Sequence, residues 1–241
     1  MKKVLVLVFM IAFMQHAHTE NHSAAYASEF SQHKNQSHYA QPWKVHEIAK
    51  DFELLDVWEF PIAADRSKGQ DFLFFLKMMR QPPPEKNRRS SSLKFLAAQV
   101  LVYLRMQMGE VFGLDKNINT LPIPGCRETS VKDRLSKKDR EQSLSLLELG
   151  ISDYDNSTWQ IVYFYKEELL MELSIDPAHA LMHFGWVHKS DHIYTSQLAV
   201  YAKPRGDFGK FYLQLIMPFR RLIIYPVFME TVKNIWEELN R

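Results

Sequence analysis

Four β-rich runs lie between Trp159 and Lys203, at residues 160–165, 168–174, 179–188 and 192–203, and only short turn-like segments separate them. Connections this short make hairpins whose loops fix the register, and directly opposed residues share a face of the sheet. Counting outward from each turn therefore predicts the pairing. Tyr165 against Glu168 places Phe164 opposite Leu169 and Val162 opposite Met171. Ser174 against His179 sets Leu173, Met171 and Leu169 opposite Ala180, Met182 and Phe184. His188 against His192 sets Trp186, Phe184, Met182 and Ala180 opposite Tyr194, Ser196, Leu198 and Val200. One face thus collects nearly all the large apolar side chains. The other carries Glu168, Glu172, His179, His183, Thr195, Gln197 and Lys203 and reads as a solvated exterior. A chain sorted this way is expected to form an antiparallel sheet with one face to be covered.

The flanking segments supply candidate covers. Leu54–Phe60 reads as a first strand ended by Pro61. Asp71–Arg80 reads as a helix stopped by Pro82-Pro83-Pro84, and Ser90-Ser91-Ser92 caps a long helix from Leu93 to about Phe112. That second helix is apolar nearly all round, with Leu93, Leu96, Val100, Tyr103, Leu104, Met108 and Val111 as its densest stripe, so it must pack against something large. Arg105, set among those residues, reads as one half of a structural ion pair. From Leu114 to Asn156 turn residues dominate, with one short helix expected, and the charges between Lys132 and Arg140 alternate in sign as on a solvated surface. After Pro204-Arg205-Gly206, the stripe Phe208, Phe211, Tyr212, Leu215, Phe219, Leu222 and Ile223 predicts a helix with that stripe turned inward, kinked at Pro218 and kinked or ended at Pro226. The expected class is α+β, a curved antiparallel sheet whose apolar face wraps a long C-terminal helix.

Ahead of this domain, at 43–241, residues 1–27 read as a signal peptide or N-terminal anchor: Lys2 and Lys3 precede the apolar run Val4–Met14, and Ala25-Tyr26-Ala27 offers a cleavage site. The expectation is an exported or membrane-anchored protein, cytoplasmic if that segment is not a signal. Contact with a membrane is expected only there. Residues 28–42 read as a linker. His16, His18, His22, His33 and His38 in this region have no partners at metal-ligand spacing.

Composition narrows function by exclusion. Thirty Lys+Arg against 28 Asp+Glu gives a net charge of +2, too small for a general nucleic-acid surface. Cys126 is the one cysteine in the chain, so no internal disulfide framework is available, and it has no base placed to make it a nucleophile. His179 and His183 are four residues apart on one strand, a span of about 13 Å, beyond two ligands of one metal at about 2.0–2.1 Å; His188 and His192 are neighbours across a hairpin, so a two-histidine rim site is an alternative to ordinary rim polar residues, with Asp191 as the one adjacent carboxylate. Neither metal nor cofactor is expected. Oligomeric state is not legible.

Two segments carry a family likeness. Leu104-Arg105, Gly109 and Phe112-Gly113-Leu114, together with the run from Gly209 to Arg221 (GKFYLQLIMPFRR), resemble a bacterial family catalogued as a domain of unknown function, over about Trp43 to Glu238. Some of its members are fused behind short-chain-dehydrogenase-like domains. The residue after Pro218-Phe219 is commonly His in that family and is Arg220 here, so no role of an imidazole carries over. The order of elements is also similar to the helix-grip fold of START-type lipid carriers, polyketide cyclases and plant ligand-binding allergens, which hold a cavity between sheet and long helix. On that pattern, Met171, Met182, Phe184, Trp186, Tyr194 and Leu198 would line a pocket for a small apolar molecule, with Ser196, His188 and His192 as polar handles. Two alternatives remain: a filled core with no ligand, and a cyclase- or isomerase-type enzyme using His188 or His192 as a general base.

Overall fold

The computed structural model describes residues 35–81, 114–150 and 158–240. Strands β1 (Glu53–Glu59), β2 (Ala64–Asp65), β3 (Gln160–Phe164), β4 (Glu168–Ile175), β5 (Ala178–Ser190) and β6 (Ile193–Pro204) form one open antiparallel sheet. Its order is β1-β6-β5-β4-β3, and the short β2 pairs with β6 beyond the end of β1. With helices packed on it the class is α+β.

Between β4 and β5 the pairing follows the count from the turn: Ser174 faces His179, Leu173 faces Ala180, Met171 faces Met182 and Leu169 faces Phe184. Between β5 and β6 the expectation fails by two residues. His188 faces Tyr194, Trp186 faces Ser196, Phe184 faces Leu198 and Met182 faces Val200. The turn is tighter than the count assumed, with Ser190 facing Ile193, Asp191 at φ 43° and a bulge between His188 and Ser190. A slip of two keeps every side chain on its expected face, because the strand period is two. In β3, Phe164 faces Leu169 as expected, but a bulge at Val162 leaves Ile161, not Val162, opposite Met171. β1 carries a bulge as well, between Leu54 and Asp56.

Helix α3 (Phe72–Met79) starts where Asp71 accepts a hydrogen bond from Phe74 N, a side-chain N-cap, and it buries Phe72, Phe75, Leu76 and Met79 on the apolar face. The C-terminal region divides in two. Helix α5 (Gly206–Phe219) is followed by a π-helical turn, Arg220–Ile224, and then by α6 (Tyr225–Leu239), with Pro226 in its first turn. It is α6 that closes the apolar face, packing Tyr225, Met229, Val232, Ile235 and Trp236 into one cluster with Trp58, Phe184, Trp186 and Leu198. The stripe of α5 is not turned inward as its periodicity suggests: Phe208, Phe211, Leu215, Phe219 and Leu222 are all exposed, and only Tyr212 of the stripe's α5 members is buried. Periodicity shows that a face needs a cover without naming the cover.

The π turn has a local cause in charge. It brings consecutive arginines onto one fully buried carboxylate, with Arg220 Nη2 2.8 Å and Arg221 Nε 2.9 Å from Asp56 oxygens. Burial opposes the Arg220 charge, but Tyr225 and Asp56 outweigh it and its pKa lies above the usual value.

The opposite face of the sheet is also covered, which overturns its reading as a solvated exterior. Glu168, Glu172, His179, His183, Thr195 and Gln197 are buried. Their cover comes from helices α1 (Asn35–Tyr39) and α2 (Val45–Ile48) and from the turns that contribute Ile123, Val131 and Leu135. The described part of the 28–42 linker is thus folded, and its His38 is wholly buried. Gly185 admits this arm, since a Cβ there would lie 2.7 Å from the indole of Trp43. One short helix, α4 (Lys137–Glu141), does occur in the turn-rich region, closed by a Ser136–Asp139 capping box. The helix expected over Leu93–Phe112, Arg105 within it, and the N-terminal segment lie outside the described residues. Among the described residues no helix is long and apolar enough to cross a membrane.

Candidate functional site

Where the Asp71 cap launches α3, the helix stands off the end of the sheet and leaves a cleft of about 160 Å³. Phe72, Leu73, Leu144, Phe164 and Trp186 make its apolar wall, while Arg66, Lys166, Asp71 and Glu148 stand around it. Trp186 is held on three sides: Phe72 and Phe75 lie 5.7 Å away, and Tyr194 stacks at 6.0 Å with an interplanar angle of 6°. Its indole Nε1 is buried and has no hydrogen-bond acceptor in the structure. Trp43 and Trp58 likewise bury an Nε1 without an acceptor, so this feature reflects how the indoles are packed and does not mark an opening into the cleft.

Arg66 sets the polar edge. Its Nη1 donates to Tyr194 Oη and to Glu167 Oε1, both at 3.1 Å, and the Tyr194 bond is the chief reason its pKa is raised. A guanidinium so held keeps its charge beside the cleft.

The residues expected to line a ligand pocket fall into three groups. Trp186 lines the cleft, Tyr194 stacks on it, and His188 meets Tyr194 edge-on at 5.0 Å. Phe184 and Leu198 lie in filled core, where Phe60 stacks on Phe184 at 6.2 Å, and Ser196 donates to Gly185 O within the sheet. Met171 and Met182 are half-buried toward the β4–β5 end. His192 is exposed on the β5–β6 turn, and exposed His188 places Nε2 3.0 Å from Asp191 O; neither lines the cleft. Of the lining residues that sequence reasoning missed, Phe72 and Leu73 had the helix pattern as a signal. Arg66, Leu144, Phe164 and Lys166 converge only in the fold.

A second concentration of chemistry lies beneath the N-terminal arm. Glu168 accepts from Lys44 N at 3.0 and 3.1 Å, from Tyr163 Oη at 2.8 Å and from His183 Nε2 at 3.0 Å. Glu172 accepts from His179 Nε2 and Val131 N, both at 3.0 Å, and from Ser130 Oγ. His38 Nε2 is 2.7 Å from Tyr201 Oη, and its ring is 5.3 Å from that of His183. Burial, then the His183 and His46 imidazoles, lower the His38 pKa to about 2, with Gln197 working the other way. Burial first and Glu168 second push the Tyr163 hydroxyl pKa well up. This cluster is enclosed, so it acts as a structural polar core. Cys126, half-buried, has Arg134 Nη2 at 3.4 Å and Asp51 and Lys203 at 3.7 Å, and no imidazole among its contacts. Among the described residues no three His, Cys, Asp or Glu side chains are grouped to hold a metal.

No curated protein and no solved structure matches the chain. A family model described as "Protein of unknown function (DUF2867)" matches residues 48–227, about three quarters of the chain, which takes in the sheet, α3, α5 and the start of α6. By that match the chain belongs to the DUF2867 family.

Proposed function

We propose that this protein binds a small, mostly apolar molecule, about one ring in size and bearing one hydrogen-bond acceptor, in the cleft beside Trp186. One observation carries the reading: a cleft with an apolar wall of Phe72, Leu73, Leu144, Phe164 and Trp186 has charged side chains at its edge. The volume is close to the roughly 150 Å³ of an engineered cavity that takes a single benzene. Arg66 and Lys166 offer donors to an anionic acceptor such as a carboxylate, on a lining that Asp71 and Glu148 balance in charge. The core under α6 is filled by Phe60, Phe75, Phe184, Leu198 and Met229, so the ligand site belongs at the mouth of the sheet and not along the length of the helix. We read the fold as a variant of the helix-grip plan, supported by α6 lying across the apolar face of an antiparallel sheet.

The test uses 4-fluorobenzoate, followed by fluorine NMR. The wild type is expected to bind saturably, and Leu144→Trp, which fills the cleft, to abolish binding while the denaturant melt stays cooperative. Equal titration of both proteins, or none by the wild type, overturns the reading.

A further inference from the structure

We infer that the cleft beside Trp186 takes a zwitterion: a free α-amino acid whose apolar side chain is about one ring or one branched chain in size. This rests on the cleft being a ligand site, as proposed above, and adds the charges that its ligand carries.

The cleft offers three kinds of surface. Its wall of Phe72, Leu73, Leu144, Phe164 and Trp186 is apolar, and a volume of about 160 Å³ matches a single small side chain. Arg66 and Lys166 bring positive charge and Asp71 and Glu148 negative charge, so the lining has no net formal charge. The two signs come from different layers of the fold. Arg66 begins the 3₁₀ turn that follows β2, and Lys166 lies in the turn between β3 and β4. These cations are held together, because Arg66 Nη1 reaches Glu167, the neighbour of Lys166, at 3.1 Å. The anions belong to the helical layer: Asp71 caps α3, and Glu148 sits in the 3₁₀ turn Leu146–Leu149, which packs against α3.

The charges are only partly spent on one another. Asp71 gives Oδ1 to Phe74 N at 2.8 Å, and Arg66 gives Nη1 to Glu167 and Tyr194. Among the described residues that leaves Asp71 Oδ2 and Arg66 Nη2 without a side-chain partner. Lys166 and Glu148 line the same small cleft with opposite charges, yet neither forms an ion pair with the other or with another described residue. An amino acid carries both complements on one carbon. Its carboxylate would take Lys166 and Arg66 Nη2, its ammonium Glu148 and Asp71 Oδ2, and its side chain the aromatic wall. A cleft of this volume is about 7 Å across, inside the screening length of about 8 Å at physiological salt, so a bound group feels both signs. A ligand with one charge is attracted by one layer and repelled by the other.

The test compares three ligands by fluorine NMR titration of the full chain: 4-fluorophenylalanine, 3-(4-fluorophenyl)propionate, which lacks the ammonium, and 4-fluorophenylalaninamide, which lacks the carboxylate. The amino acid is expected to bind roughly tenfold more tightly than either, the weight of one partly exposed charge-assisted hydrogen bond. Leu144→Trp should abolish that binding. Glu148→Gln should bring the amino acid down toward the propionate, and Lys166→Gln should bring it down toward the amide. Both residues are exposed, so neither substitution should move the denaturant melt. Propionate or amide binding as tightly as the amino acid overturns the inference, as does a Glu148→Gln protein that keeps the full wild-type preference. Binding of 4-fluorobenzoate without the amino acid overturns the zwitterion alone and leaves the cleft as a ligand site. Binding of none of the four overturns the ligand site, and the zwitterion with it.

Discussion

The two faces of the sheet are buried by different means. The apolar face meets α3 and α6 almost entirely through hydrocarbon and aromatic rings, with Phe75, Leu198 and Met229 fully enclosed. The opposite face also has an apolar cluster, built on Val45, Ile123, Val131, Leu170 and Leu181, but two carboxylates and three imidazoles are buried with it. An apolar cover tolerates small shifts, because dispersion and water exclusion have no direction. Lys44 N and Val131 N, by contrast, complete the hydrogen bonding of Glu168 and Glu172 only when arm and loop sit in one place. One face supplies cohesion and the other supplies alignment.

The largest expected effect tests that alignment. Glu168→Gln keeps the volume but takes the charge away from four hydrogen bonds, and stability should fall by about 3–5 kcal/mol, as when one half of a buried pair is removed. A denaturant melt showing a loss under about 1 kcal/mol would return this face to an ordinary surface. On the other face, Met229→Ala should cost roughly 3 kcal/mol through lost burial and a cavity, with no dependence on pH between 5 and 8. A pH-dependent loss would show that the two faces are not separable.

The smallest effect sharpens the contrast through protons. His38 has a folded pKa near 2 and an unfolded value of 6.5, so below pH 6.5 the unfolded chain binds the extra proton. Its contribution is complete above that pH and is lost as pH falls toward 2. Between pH 7 and 5 the loss amounts to about 2 kcal/mol. His46, also lowered chiefly by burial, acts in the same direction. His38 is faced by His46, His183, Tyr201 and Tyr39, so the melt of the wild type should be compared with that of His38→Asn. A mutant with an unchanged pH slope would remove His38 as its source.

The sheet was largely legible because strand parity is robust: a two-residue slip at Lys189 changed every β5–β6 partner without moving a side chain to the wrong face. It even left Trp186 stacked on Tyr194, now as diagonal neighbours. The polar face was misread for a physical reason. Alternation of polar and apolar residues reports chemistry, whereas burial depends on donors arriving from residues 38–52 and 123–135, distant in sequence. Trp186 and Tyr194 stood out in the sequence because large aromatics are conspicuous on a strand, and of the two Trp186 lines the cleft while Tyr194 stacks on it. Arg66, Leu144 and Lys166 carry no local pattern, and only the closure of the fold brings them to one cleft.

The bulges in β1 and β3 have a consequence at the two margins of the sheet. In the order β1-β6-β5-β4-β3, these are the outermost strands, and each interrupts its own ladder, at Leu55 and at Val162. The central β4–β5 ladder runs through eight pairs without a break. A flat, regular margin would be a template on which another chain could continue the sheet, and a bulge twists and breaks that template. Bulges within both outer strands therefore guard against end-on growth into aggregates, while the inner ladders stay regular along their length, apart from the bulge beside the β5–β6 turn.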